Sequence, residues 1–143
     1  VHRVHGTVVE CNTAYEGARN TTERHQELMK EHGWSKYFQV DIMDSDGDMV
    51  LEIPEGLKIK KNYVGKNLEN YDSMLVLSHF KGHPMGGYGG ALKQLSIGVA
   101  SSVGKRYIHC VGKENGTYED MFHVNQLDFL ASMADAASSC KIF

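Results

Sequence analysis

The chain has 143 residues, a length typical of a single domain. Apolar residues make up 41% of the sequence and charged residues 23%, a balance that excludes a disordered chain. Because 15 Lys and Arg residues are opposed by 18 Asp and Glu residues, the net charge is −3, which excludes a broad basic surface for nucleic acid. No segment approaches the ~18 apolar residues that a membrane span requires.

The three cysteines, Cys11, Cys110 and Cys140, lie far apart and include no Cys-x-x-Cys pair. This sparse, odd set predicts reduced thiols in a cytoplasmic protein, and it supplies no motif for an iron–sulfur cluster or a zinc ribbon. The first residues are not typical of a signal peptide, since no apolar segment follows the charged residue. The chain begins with valine instead of methionine, which indicates a processed or shortened protein.

The N-terminal part of the chain predicts a strand followed by a helix. β-branched residues between positions 6 and 12 are typical of a strand. After a polar stretch, Asn20 is suited to cap a helix, because Glu23 lies three residues later and can bond back to it. The helix is expected to end at Gly33.

The next part of the chain predicts a hairpin. Apolar residues alternate over 38–43 and again over 49–53, and the Asp-Gly turn at 44–48 is suited to join these two strands. The lysine-rich segment at 57–64 is typical of an edge strand.

A glycine-rich segment follows the most apolar run of the sequence. The continuous apolar run at 74–77 predicts a strand buried on both faces, as in a parallel sheet. Five of the glycines lie between positions 82 and 90, and a short helix is predicted over 91–97. The segment therefore predicts a strand, a glycine loop and a helix in succession.

The C-terminal part of the chain predicts one more strand and one more helix. The strand is expected at 106–111, and Asn125 is suited to cap the last helix. The apolar stripe of this helix is expected to be Leu127, Leu130, Ala134 and Ala137. The alternation of elements predicts an α/β fold, with a mixed, largely parallel sheet, flanking helices and one β-hairpin, in a single domain over 1–143.

The glycine-rich loop is a candidate binding site for an anion. Glycines let backbone N–H groups approach a ligand closely, and the positive end of the helix that follows favours phosphate or carboxylate. Ligands of open α/β sheets lie at the carboxyl ends of strands, where this loop is predicted. The glycines concerned are Gly86, Gly87, Gly89 and Gly90. The alternative is a tight turn that only packs the helix on the strand.

Three side chains around this loop are candidates for chemistry: His83, Lys93 and His109. Neutral imidazoles transfer protons or bind metals near neutral pH, and lysine in a partly dry pocket becomes a nucleophile or a tether for a cofactor. The predicted fold can bring the three side chains to one rim of the sheet. The alternative is three unrelated surface residues.

The stretch LVLSHFKGHPMGGYGGALKQLSIGVASSVGK at 75–105 resembles the signature of the domain-of-unknown-function family numbered 362. The segments ECNTAYEGARNTTERH at 10–25, EHGW at 31–34 and SMADAA at 132–137 also fit, so the resemblance covers nearly the whole chain. Members are uncharacterised and are often associated with iron–sulfur centres or fused to ferredoxin-type clusters. The resemblance implies a redox-type domain with a ferredoxin-type electron carrier as partner. Members usually extend further, which implies that the chain is a fragment of a longer protein.

The order of the site residues is also similar to that of nickel-pincer lactate racemases. His83, the glycines with Tyr88, Lys93 and His109 follow one another as in those enzymes. The similarity implies that Lys93 tethers an organic cofactor, that His109 binds nickel and that His83 is a general acid or base. Arg19 and His25 are looser candidates for two further residues of that site.

Three functions are consistent with these patterns. The first is a domain that binds a cofactor or a metal, nickel or iron, in which the glycines and Lys93 hold a small anionic ligand while His83 and His109 supply acid–base or metal-ligand groups. The second is a racemase-like enzyme with a lysine-linked cofactor. The third is a non-catalytic fragment that completes a larger fold. None of the three involves nucleic acid or a membrane.

Overall fold

The structure is a computed structural model that describes residues 5–142. Within this range it is a mixed α/β domain with four helices and three small two-stranded sheets. The predicted α/β class is confirmed. The predicted largely parallel sheet is wrong for these residues, because a single pair of strands is parallel and no pair joins another.

The parallel pair consists of β1 (Thr7–Glu10) and β2 (Gln39–Ile42), which are connected through α1 (Thr22–Glu31). The helix begins one residue later than predicted, since its cap is Thr21, whose hydroxyl accepts from the N–H of Arg24 at 3.4 Å. All three elements lie close to the positions expected from the sequence.

Within residues 5–142, the first of two antiparallel hairpins consists of β3 (Asp48–Glu52) and β4 (Lys61–Gly65). The predicted hairpin between 38–43 and 49–53 is therefore wrong, because the first of these segments pairs with β1. The Asp-Gly turn at 44–48 instead carries the chain from one sheet to the next. The pattern identified the strands but not their partners.

Two predicted strands are not formed in the described part of the chain. Residues 74–77 carry no regular secondary structure, and Leu75 and Leu77 are 84% and 81% exposed. Residues 106–111 belong instead to α3 (Ser102–His109) and the turn after it. The hydroxyl of Ser101 caps α3 by accepting from the N–H of Gly104 at 3.1 Å.

The glycine-rich segment folds as a short hairpin of β5 (Lys81–His83) and β6 (Gly87–Gly89). Gly87 has a φ of +66°, a left-handed conformation that the hairpin turn requires and that glycine adopts without strain. The predicted helix at 91–97 is present as α2 (Ala91–Lys93) and a π-helical turn, Gln94–Gly98. The loop between a buried strand and a helix is thus replaced by a hairpin before a helix.

The last helix, α4 (Gln126–Ser138), begins at the predicted cap, where Asn125 Oδ1 accepts from the N–H of Leu127 at 2.9 Å. The predicted stripe is wrong for Leu127 and Ala134, which are exposed, whereas Leu130 packs against the main core. The helix instead directs Phe129, Met133 and Ala136 into the main core. These residues keep the helical spacing of four and three, offset from the predicted stripe.

Asp135 of α4 fixes the segment that leads into β4. Its carboxylate accepts the backbone N–H groups of Leu57 at 2.9 Å, Lys58 at 2.6 Å and Ile59 at 3.0 Å. Asp135 is buried, so these three N–H groups have little access to water as an alternative acceptor. The contact ties the last helix to the antiparallel hairpin.

Replacing Asp135 with Asn is expected to lower the free energy of unfolding by about 2 kcal/mol, because the amide nitrogen would face N–H donors that then lack an acceptor. Urea denaturation followed by circular dichroism measures the loss. Asp128→Asn is the matched control, since Asp128 lies on the same helix and forms a partly exposed ion pair with Lys58 at 2.8 Å. Its loss is expected to cost less than about 1 kcal/mol. Equal losses in the two variants would contradict the role given to Asp135.

Val111 follows α3 with a φ of +51°, a left-handed conformation that is unfavourable for a β-branched residue. We expect Val111→Gly to raise the free energy of unfolding by about 1 kcal/mol by removing this strain. A higher Tm in thermal denaturation is the measurement. Val111→Ala is the control, because it shortens the side chain but keeps the Cβ atom. A glycine variant no more stable than the alanine variant would show that the conformation is not strained.

Candidate functional site

A cavity of about 290 Å³ lies where the end of β1, the glycine hairpin, α2 and α3 meet. His83, Lys93 and His109 all line it. The other polar lining residues are Glu10, Cys11, Thr13, Tyr15, Arg19, His79, Lys81, Gln94 and Lys105. The structure therefore brings the three candidate residues to one cavity, while their roles remain predictions.

Each of the three side chains comes from the end of a different element. His83 is the last residue of β5, Lys93 is the last residue of α2 and His109 is the last residue of α3. His109 reaches the cavity from a helix and not from the predicted strand. The three residues meet because these element ends lie around one opening.

Both imidazole rings pack on Phe129. The ring centroid of His109 lies 5.0 Å from that of Phe129, and the ring centroid of His83 lies 6.5 Å from it, with the planes tilted by 29° and 25°. Phe129 is fully buried in the main core, so it provides a rigid surface for both rings. Burial lowers the pKa of both imidazoles, and the charge of Lys93 lowers both further.

The Nε2 atom of His83 is a hydrogen-bond donor. The backbone N–H of Gly86 donates to His83 Nδ1 at 3.0 Å. A neutral imidazole that accepts at Nδ1 carries its proton on Nε2. The residue is thus set to donate a hydrogen bond from Nε2.

His109 has the opposite arrangement. Its Nδ1 lies 2.6 Å from the carbonyl oxygen of Lys105. A carbonyl oxygen can only accept, so Nδ1 carries the proton and Nε2 holds a lone pair. Of the two neutral imidazoles, one can therefore donate a hydrogen bond and the other can take a proton.

Positive charge dominates the cavity. Four cationic side chains and one carboxylate line it: Arg19, Lys81, Lys93, Lys105 and Glu10. None of these cations forms an ion pair among residues 5–142. Burial lowers the pKa of Lys93, and the charges of Lys81 and Arg19 lower it further. Burial also lowers the pKa of Lys105, whose Nζ donates to the carbonyl of Ala100 at 2.6 Å.

The four glycines differ in their relation to the cavity. Gly89 and Gly90 line it, whereas Gly86 and Gly87 are not among its lining residues. A Cβ atom at Gly90 would collide with the end of the Tyr88 side chain, which is exposed and would have to move. Packing and turn geometry therefore account for part of the glycine pattern, and anion binding by these backbone groups remains a prediction.

Sequence reasoning missed Lys81 and Lys105 as parts of the site. The sequence does carry a signal for the helix that positions Lys105. Tyr107 and Ile108 lie three and four residues after Gly104, a spacing typical of one face of a helix, whereas a strand is predicted there. Of the two looser candidates, Arg19 lines the cavity, whereas His25 is fully buried and is not part of its lining.

The donor set fits a metal ion only in part. The described residues include no group of three or more His, Cys, Asp or Glu side chains arranged to hold a metal. His109 suits the role of a single ligand, because its Nδ1–H is fixed by a carbonyl and its Nε2 lone pair is available. His83 does not suit it in this arrangement, since Nε2 carries the proton. A nickel or iron site using both residues would require His83 to give up its bond from Gly86.

A sequence model of the family described as Domain of unknown function (DUF362) matches residues 2–143. The chain belongs to the DUF362 family. The resemblance seen in the 75–105 segment is thereby confirmed. Neither the curated proteins nor the solved structures include a match to this DUF362 domain.

Two further features of the DUF362 domain bear on the predictions. Cys11, Cys110 and Cys140 are unpaired, as predicted, and burial raises the pKa of the Cys11 thiol to about 12. Across residues 5–142, every helix is too short or too polar to cross a membrane. The cytoplasmic location remains a prediction.

The opposite proton arrangements of His83 and His109 are open to measurement by NMR of the ¹⁵N-labelled DUF362 domain. We expect the neutral imidazole of His83 to be protonated at Nε2 and that of His109 at Nδ1, with both pKa values below the ordinary value of about 6.5. Asparagine variants at positions 83 and 109 assign the signals. The same protonated nitrogen in both rings would contradict the proposed polarity of the site.

Proposed function

We propose that the cavity of the DUF362 domain binds a small anionic ligand, a carboxylate or a phosphate, and takes a proton from it through His109 while His83 donates a hydrogen bond to it. The observation that carries this proposal is the charge of the lining, in which four cationic side chains face a single carboxylate. The chain as a whole has a net charge of −3, so the positive charge is local to the cavity.

The depth of the cavity supports an anion as the ligand. Lys105 is buried and Lys93 is half-buried, so their ammonium groups are only weakly screened by water. Burial lowers the pKa of Lys93 most, and the charges of Lys81 and Arg19 lower it further, so the cations of the lining also repel one another. A bound anion would relieve this repulsion and form charge-assisted hydrogen bonds with the same groups.

The two histidines add acid–base capacity to this binding site. General acid–base catalysis requires a group that takes a proton, helped by a donor that stabilises the charge left on the ligand. The lone pair of His109 Nε2 takes the proton, and the neutral imidazole of His83 donates a hydrogen bond to the ligand from Nε2–H. Their orientation is fixed by Phe129 and by the two backbone hydrogen bonds, so little reorganisation is needed when the ligand arrives.

The opposite polarity of the histidines also favours a second candidate, the racemase-like enzyme. Inverting a carbon centre requires a group that removes a proton and a second group that returns one. His109 would be the first, and the protonated form of His83 would be the second. Lys93 would hold a lysine-linked organic cofactor, which would supply the electron acceptor of the reaction. The redox role, the ferredoxin-type partner and the non-catalytic fragment rest on the sequence analysis alone.

Anion binding can be measured by isothermal titration calorimetry with acetate, oxalate and inorganic phosphate. We expect at least one of them to bind. Lys93→Met is expected to weaken that binding at least tenfold, because it removes an ammonium group that is partly shielded from water. Lys93→Arg should retain most of the binding, since it keeps the charge. Lys66→Met is the control, because Lys66 is exposed and does not line the cavity. The proposal fails if none of the anions binds, or if both methionine variants bind equally well.

A further inference from the structure

A second cavity, of about 400 Å³, lies between α1, β1 and residues 74–77. Its lining is mainly apolar and rich in methionine, and includes Leu28, Met29, Met43, Met74 and Val99. Glu10 and Arg19 are its only residues with a permanent charge, and both also line the first cavity. The rest of the wall is therefore suited to an uncharged, largely apolar molecule.

One buried polar atom in this wall lacks a partner. His25 lines the cavity and is fully buried, and its Nε2 has no hydrogen-bond partner among the described residues. Its Nδ1 lies 3.3 Å from Asn12 Oδ1, while Asn12 Nδ2 donates to Thr22 Oγ1 at 3.2 Å. This orientation of Asn12 places the proton of His25 on Nδ1 and a lone pair on Nε2.

The unpaired atom therefore requires a donor. Burial lowers the pKa of His25 to about 4, so the imidazole is neutral at pH 7. A buried acceptor without a donor is costly, and such an atom in a native structure calls for an explanation. A ligand that brings an O–H or N–H group to Nε2 supplies it.

The surroundings of His25 allow a ligand to approach. Met29 lies one turn further along the same face of α1 and lines the same cavity. Its unbranched side chain changes conformation at little cost, as methionines do in adaptable binding sites. All four residues of β1 also line the cavity, so the strand borders the space that a ligand would occupy.

We propose that this second cavity binds a largely apolar small molecule that carries one hydrogen-bond donor, and that His25 Nε2 accepts from that donor. The site differs from the first cavity in the ligand that it selects, because its occupant is neutral. The apolar body of the ligand lies against the methionines, and its hydroxyl or N–H group lies at α1.

A pair of isomeric probes tests the proposal on the unmodified domain. 1-Octanol has a hydroxyl donor, and 1-methoxyheptane has the same atoms without a donor. Trp34 is the single tryptophan of the chain and lines the cavity, so its fluorescence reports binding. We expect saturable binding of 1-octanol about fivefold tighter than binding of 1-methoxyheptane, the effect of one neutral hydrogen bond. Equal affinities, or no saturable change, would overturn the proposal.

A matched pair of variants locates the acceptor. His25→Phe keeps a ring of similar shape but removes Nε2, and it is expected to abolish the preference for 1-octanol. His123→Phe is the control, because His123 is exposed and does not line the cavity. It should leave the preference unchanged. A preference that survives His25→Phe would overturn the assignment to His25, and if that variant does not fold, the probe pair on the unmodified domain still decides.

Discussion

The walls of the first cavity depend on one carboxylate, that of Asp44. One of its oxygens accepts from the N–H of Asn12 and the other from the N–H of Ser102, both at 2.9 Å. The first of these groups follows β1, and the second begins α3, so Asp44 joins the strand end that carries Glu10 to the helix that carries Lys105. N–H groups at the start of a helix have no partner within the helix, and a carboxylate there also interacts favourably with the helix dipole.

The chemistry of the site is set by backbone groups as much as by side chains. The N–H of Gly86 and the carbonyl of Lys105 decide which nitrogen of each imidazole carries a proton. Phe129 then holds both rings from the side of the core. Two residues of the same type thus acquire opposite polarity, because one follows a hairpin turn and the other ends a helix. Similar use of packing and backbone contacts around a reactive group is a general route to a preorganised site.

Local signals predicted α1 and α4 well, whereas α3 was predicted as a strand, and distant contacts account for the missed pairing of strands. Asn125 marks the start of α4 because capping depends only on adjacent residues. The partner of β2 could not be read from the sequence, since the same alternating pattern suits pairing with either β1 or β3. The apolar run at 74–77 has the composition of a buried strand, yet it pairs with no strand among the described residues. The residue types and positions of His83, Lys93 and His109 around the glycines marked them as candidates in the sequence. Which ring nitrogen of each histidine carries a proton depends on contacts that only the fold creates.

Because each of the three described sheets has only two strands, every strand in them has one edge without a strand partner. In an antiparallel pair, alternate amide groups point away from the partner strand, and those of the largely exposed hairpin of β5 and β6 exchange their protons readily with water. The amides of α4 around Phe129 are bonded within the helix and covered by the main core. Hydrogen exchange is therefore slower in α4 than in the glycine hairpin, and the part of the first cavity's wall that the hairpin builds opens before the part that packs on α4.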